Sequence, residues 1–128
     1  MNVFIVDDSK IVCKGLRQTL SDIINVNVVG EAYNAGDAIK AILEIKPDVV
    51  ILDIRLPGPS GIEVLKDIRN KKPPIRVIML TNYPYPQYRK KCEELEADYF
   101  IDKVTEIEKI TEVIEKLLKN KPKGRMHT

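Results

Sequence analysis

The stretch Val49-Val50-Ile51-Leu52-Asp53 decides the fold. Its apolar residues, mostly β-branched, run without alternation and stop at a carboxylate. A short unalternating run fits a strand of a parallel sheet covered on both faces. Outward from it lie four more such runs: Val3-Phe4-Ile5-Val6, Val26 to Val29, Val77-Ile78-Met79-Leu80 and Tyr99-Phe100-Ile101. The text between them carries helical spacing. Val12, Leu16, Leu20 and Ile23 recur every three or four residues, as do Ile107, Ile110, Ile114 and Leu117. Ala38, Ile42 and Ile45 repeat the pattern, then Ile62, Leu65 and Ile68, and more weakly Tyr88, Cys92 and Leu95. Ser60-Gly61-Ile62-Glu63 and Thr105-Glu106-Ile107-Glu108 read as capping boxes, Asn34 as an N-cap, and Asp8 or Ser9 as the cap of the first helix. Pro84 and Pro86 fix the entry to the fourth helix, where a missing N–H costs little. Strand and helix therefore alternate as (βα)5, an α/β domain with a doubly wound parallel sheet and right-handed crossovers.

Composition sets the outer bounds. A chain of 128 residues makes one domain with a core large enough to need no staples. Lys plus Arg number 21 against 19 for Asp plus Glu, a formal net charge of +2, which argues against a dedicated nucleic-acid binder. The two cysteines, Cys13 and Cys92, and the single His127 have no metal-ligand spacing, so a zinc site and a disulfide scaffold are excluded. Cys13 and Cys92 fall on the first and fourth helices, which flank opposite sheet faces, and are expected as free thiols. The apolar runs are far too short for a membrane span, and no secretory leader is visible, so the expected compartment is the cytoplasm. From Lys119 the text turns polar and basic. The expected division is a domain over 1–118 and, over 119–128, a basic tail or the start of a linker. The tail lysines read first as an aid to solubility, with nucleic-acid contact a poor second.

Open α/β sheets bind ligands beyond the carboxyl ends of their strands, where the strand order switches. The residues there are Asp7 and Asp8 after the first strand, Asp53 after the third, Thr81 and Asn82 after the fourth, and Asp102 and Lys103 after the fifth. In the commoner five-strand order, 2-1-3-4-5, the first and third strands are neighbours, which brings Asp7, Asp8 and Asp53 together. Crowded carboxylates repel, and a hard divalent cation such as Mg²⁺, which takes oxygen ligands and keeps several waters, relieves them. An Asp beside Mg²⁺ and a Lys is equipped to attack a phosphoryl group. The cation, Lys103, Thr81 and backbone N–H groups can share the charge spread over the transferring oxygens.

Taken in order, Asp7-Asp8, Asp53-Ile54-Arg55-Leu56-Pro57-Gly58-Pro59-Ser60-Gly61, Leu80-Thr81-Asn82 and Phe100-Ile101-Asp102-Lys103 resemble the receiver domain of two-component response regulators. The resemblance spans residues 2 to about 118 and implies a flavodoxin-like fold. It implies that Asp53 is the phosphoacceptor. It also implies that Asp8 and Asp53 ligate Mg²⁺ (with Mn²⁺ as a substitute), together with the Arg55 backbone carbonyl, while Asp7 acts through a metal-bound water. Thr81 then bonds a phosphoryl oxygen, Lys103 pairs with it, and Phe100 stands at the switch aromatic. Phe100 reads equally as core. Such a domain is not an enzyme on a separate substrate, though it supports its own Mg²⁺-dependent phosphotransfer and dephosphorylation. Its implied partners are a sensor histidine kinase or phosphotransfer protein and a downstream protein or a C-terminal output domain. A homodimer formed on phosphorylation is a further expectation, and direct nucleic-acid or membrane contact is not.

The sequence departs from the family pattern in three places. Val104 follows Lys103 where many members have a proline, and Asn82 replaces a small residue. Arg55 and Tyr83 put bulk at positions that, with Asn82, tune dephosphorylation. The Tyr83-Pro84-Tyr85-Pro86-Gln87-Tyr88 stretch reads evenly as a partner surface or as a stiff, ordinarily packed loop. Three functions compete. The first is a phosphorylation switch whose helix 4–strand 5–helix 5 face changes. The second is a constitutive interaction module that keeps the pocket unused. The third is a metal-dependent phosphatase, disfavoured because Arg55 stands where its general acid would be.

Overall fold

The apolar runs become strands because helices cover both faces of the sheet they form. The computed structural model describes residues 1–71 and 73–120. The chain alternates β1 (Asn2–Val6), α1 (Lys10–Ser21), β2 (Asn27–Ala32), α2 (Ala35–Ile45), β3 (Val49–Leu52), α3 (Gly61–Lys71), β4 (Arg76–Thr81), α4 (Pro86–Glu94), β5 (Tyr99–Asp102) and α5 (Lys109–Lys119). All pairings are parallel, in the order β2-β1-β3-β4-β5, the doubly wound order expected from the sequence. Side-chain alternation sends Phe4, Val6, Val50, Leu52, Val77 and Met79 to one face, where Ala38 and Ile42 of α2, Leu65 and Ile68 of α3, and Cys92 of α4 close over them. Val3, Ile5, Ile51, Ile78, Leu80 and Ile101 fill the other, under Leu16 and Leu20 of α1 and Ile110 and Ile114 of α5.

The helix entries follow their sequence signals in most places. The Ser9 hydroxyl accepts from the Val12 N–H at 3.2 Å, so Ser9 rather than Asp8 caps α1. The Asn34 side chain accepts from the Asp37 N–H at 2.8 Å, and Pro86 is the first residue of α4.

Three boundaries differ from expectation. β2 is an edge strand, and its apolar text is offset from its span. Val26 packs into the core before the strand begins, and the strand continues through Gly30 and Glu31 to Ala32. The β1–β2 register shifts between Val3 and Phe4, pairing Val28 and then Gly30 and leaving Val29 partly exposed. Gly30 is required there, since a Cβ would stand 2.8 Å from the Phe4 ring. The second difference is α5, which starts at Lys109, not at a cap on Thr105. Glu108, which would complete the box, stands instead at the N-cap of α5 and makes no side-chain capping bond, while the Glu106 carboxylate accepts from the Asp102 N–H at 3.0 Å. The third is Ile23, which lies beyond the end of α1 yet still packs on the core. α5 ends at Lys119 with Asn120 as its C-cap, and the rest of the expected tail, 121–128, lies outside the described residues.

Cys13 and Cys92 are free, buried, and on opposite sheet faces. Burial pushes each thiol up from 9.0 to about 11. The fold favours the neutral thiol, so this contribution is complete below the unfolded value and is lost as pH rises through the folded one. Iodoacetamide at about pH 8 should therefore leave both cysteines unmodified until urea opens the chain, because the thiolate is the reactive form. Mass spectrometry reads this directly, and rapid native alkylation of either thiol would contradict it.

Candidate functional site

The carboxyl edge of the sheet is fixed by ladder hydrogen bonds that continue one residue past the strands. The Asp7 N–H donates to Ala32 O at 3.1 Å, the Asp53 N–H to Val6 O at 2.9 Å, and the Lys103 N–H to Thr81 O at 2.8 Å. The side chains after β1, β3, β4 and β5 are therefore held on one rim by backbone geometry.

Asp7, Asp8 and Asp53 converge there, with one carboxylate oxygen from each within 4.8 Å of the others. Asp7 and Asp53 are buried and Asp8 faces solvent. The Lys103 ammonium donates to Asp7 Oδ2 at 2.6 Å and to Asp53 Oδ2 at 3.2 Å. The side chains in this triad are at most 9% exposed. Burial pushes the Asp53 carboxyl above its ordinary value, Lys103 opposes this, and the charge of Asp7 adds to it. Burial alone would depress Lys103, but its hydrogen bond to Asp7 and the charges of both carboxylates outweigh that and raise it. Asp53 Oδ1 is buried and accepts no hydrogen bond from the described residues. A buried carboxylate oxygen without a partner, on an aspartate grouped with two more carboxylates, is an acceptor prepared for a cation.

The flanking loops serve this rim. The α3 N-terminus presses on it: the Gly61 N–H donates to Ile54 O at 2.7 Å, and a Cβ on Gly61 would lie 1.8 Å from Asp53 O. No residue but glycine fits between α3 and the backbone of Asp53. After β5, Asp102 Oδ1 accepts from the Val104 N–H at 2.9 Å and the Thr105 N–H at 3.4 Å, and the Glu106 N–H returns to Asp102 O at 2.8 Å. These bonds hold the loop carrying Lys103 although Val104 stands in place of proline.

Above β4, Thr81 is fully buried and its Oγ1 accepts from the Tyr83 N–H at 3.0 Å. The exposed Arg55, two residues after Asp53, lays its guanidinium over the Tyr83 ring at 4.2 Å. The stack joins the loops that follow the adjacent strands β3 and β4. Tyr83, Tyr85 and Tyr88 follow one another with centroids 6.1 and 5.4 Å apart, while Asn82 is exposed. Phe100 is half-buried, packed on the core beneath α4, with the Arg89 guanidinium over its ring.

A model of the response regulator receiver domain family matches residues 3–115. The chain belongs to that family. This receiver domain is 39% identical over 83 residues to the DNA-binding transcriptional activator DevR/DosR of Mycobacterium tuberculosis, covering 65% of this chain and 38% of that protein. It is 31% identical over 121 residues to the transcriptional regulatory protein YvfU of Bacillus subtilis, covering 94% of this chain and 60% of that one. Among solved structures, the isolated REC domain of RcsB from Salmonella enterica serovar Typhimurium, in the presence of phosphomimetic BeF3⁻, matches with a TM-score of 0.87 and 30% identity. That match covers 95% of this chain and 91% of the other. The receiver domain thus spans roughly two to three fifths of the length of these two curated regulators.

Asp7, Asp8, Asp53, Thr81 and Lys103 of the receiver domain all meet at one rim. Arg55 and Tyr83 meet above it, whereas Phe100 lies lower, on the α4 side. Sequence reasoning gave no role to Gly61, Glu106 or Arg89. The signal for Gly61 was present, a helix-opening glycine a few residues after the acidic strand end.

Gly61→Ala should cost about 3 kcal/mol or more, because the clash is with backbone that only a shift of α3 can relieve. Urea unfolding measures this. A variant as stable as wild type would show that α3 is not seated on Asp53.

Proposed function

We propose that Asp53 accepts a phosphoryl group from a sensor histidine kinase or a phosphotransfer protein, and that this chain is the switch of a cytoplasmic two-component pathway. The observation that carries the reading is the buried, unsatisfied Asp53 Oδ1 inside the acidic trio, with Lys103 holding the other oxygen. Receiver domains generally use Mg²⁺, and this donor set of three carboxylates fits it. Asp8 and Asp53, with the Arg55 carbonyl, would hold the ion, and Asp7 would stand behind it. When bound, Mg²⁺ supplies charge neutralisation of the transferring oxygens.

In the reaction, an Asp53 carboxylate oxygen attacks phosphorus. The new bond is an acyl phosphate, and the bond from phosphorus to the donor nitrogen or oxygen breaks with its electron pair leaving on the donor. Lys103 keeps its proton and pairs with the incoming oxygens. The Thr81 hydroxyl, now only an acceptor toward Tyr83, has its own proton free to donate. Turning toward the phosphoryl group takes it from the Tyr83 N–H and resets the loop between β4 and α4. Phe100 follows toward the space Thr81 leaves, and the α4–β5–α5 face changes. The output passes to a partner protein, to an output domain such as the longer relatives carry, or to a second phosphorylated copy. The domain itself makes no direct nucleic-acid contact in this reading. Among the described residues no helix is long and apolar enough to cross a membrane.

Acetyl phosphate with Mg²⁺ should give one hydroxylamine-labile adduct, absent in Asp53→Asn and without added metal. A carboxyl phosphate is a mixed anhydride that hydroxylamine cleaves, whereas a serine phosphate survives. No labelling from acetyl phosphate or a competent kinase would favour the phosphorylation-independent interaction module.

Arg55, Tyr83 and Asn82 set turnover. The Arg55–Tyr83 stack bridges the loop that Asp53 opens after β3 and the loop after β4, and by narrowing the approach of water it would lengthen the life of the phosphoryl group. Arg55→Ala and Tyr83→Ala should each shorten the adduct's half-life, and the double variant should do little more than either. Half-lives equal to wild type would remove the stack from turnover control.

A further inference from the structure

Arg89 of α4 lays its guanidinium carbon 4.4 Å from the centroid of the Phe100 ring of β5. A planar cation over an aromatic face at that distance is attracted by the ring quadrupole. Arg89 is exposed on the helix, while Phe100 is half-buried and packs on the core that includes Cys92 of α4. The contact therefore joins a solvent-facing side chain to a ring with one side already in the core.

The strand register shows what that contact opposes. Phe100 lies opposite Met79 and Asp102 opposite Thr81, so Phe100 and Asp102 share one face of β5 and Phe100 is one pleat repeat below the rim. A ring moving up toward Thr81 enters a fully buried level of the sheet. An exposed guanidinium on α4 cannot follow it there without losing its water. The Arg89–Phe100 contact thus exists with the ring in its present place and is lost when the ring moves in. Only such a difference between states can bias an equilibrium between them.

We propose that Arg89 is a positioning residue that holds Phe100 in its resting place and so sets how readily phosphorylation throws the switch. The proposal rests on the Asp53 phosphoacceptor reading. It goes beyond that reading by giving the resting state its own stabilising contact, outside the phosphorylation site.

The test is titration of the intact domain with beryllofluoride and Mg²⁺, a phosphoryl mimic, followed by the amide signals of Thr81 and Lys103. Removing a contact that belongs only to the resting state should tighten binding of the mimic. Arg89→Ala should bind it about two- to fivefold more tightly, the range expected for a cation–π contact at an exposed site. Arg89→Lys, which keeps the charge but not the planar fork, should fall between the two. In Phe100→Leu the ring is gone, so adding Arg89→Ala should change nothing further. A merely structural role for Arg89 would weaken binding, or would act equally in both backgrounds. Unchanged or weaker binding in Arg89→Ala, or the same gain in the Phe100→Leu background, overturns the proposal. Wild type that binds the mimic with no response to Arg89 overturns this proposal alone. Wild type that fails to bind it at all overturns the phosphoacceptor reading, and this proposal with it.

Discussion

The Lys103 ammonium between the Asp7 and Asp53 carboxylates is the constraint on which the rest of the structure depends. Two buried carboxylates side by side are sustainable only with a counter-charge in contact. The sheet order places that counter-charge far off in the sheet, since β5 is separated from β1 by β3 and β4. The loop after β5 must therefore aim a long side chain back across two strands and hold it there. It does so with hydrogen bonds: the Asp102 carboxylate gathers the Val104 and Thr105 N–H groups, and Glu106 receives the Asp102 N–H. The late start of α5 is a consequence. Residues that a local reading assigns to a helix cap are spent on fixing Lys103.

Charge explains why the rim is both stable and receptive. Three carboxylates against one ammonium leave two formal negative charges, the amount a divalent cation cancels. Lys103 occupies Oδ2 of Asp7 and of Asp53, and Asp7 Oδ1 accepts from the Ser9 N–H at 2.9 Å. Asp53 Oδ1 is left without a partner among the described residues. An unpaired buried oxygen costs stability, and it persists here because its neighbours are over-determined. The ladder fixes the Asp53 backbone from the β1 side, and Gly61 lets α3 fix it from the other. The price in stability is taken at an oxygen that belongs to the acidic trio itself.

The rim residues were legible in the sequence because a parallel sheet turns chain position into spatial position. Each unalternating run ends at the carboxyl edge, so the residue after Val6, Leu52, Leu80 or Asp102 is bound to lie there. Interior strands are the clearest, and β3 and β4 are buried throughout. β2 was misplaced because an edge strand is only half covered, and its bulge breaks the pattern that would mark its span. The Thr105 box failed because the tertiary demand at Asp102 engages the Thr105 N–H and the Glu106 carboxylate, and α5 opens only at Lys109. The Arg55–Tyr83 and Arg89–Phe100 contacts left no trace in the sequence, since each joins two elements with no periodic relation.

Those two contacts share one chemistry, and both lie beside α4 or its entry loop. α3 buries three side chains and α5 four, whereas α4 buries only Cys92. Helices that bury little open and shift at low cost. α4 is instead oriented at its margins, by Pro86 at its first turn, by the tilted rings of Tyr83, Tyr85 and Tyr88 at its entry, and by Arg89 on Phe100 along its flank. Contacts of this kind are weak singly and geometrically specific. A helix held by them has a defined resting place but no deep core to leave. The rim itself is anchored by buried charge and backbone hydrogen bonds, so a change at Thr81 finds its softest outlet through the Tyr83 loop into α4.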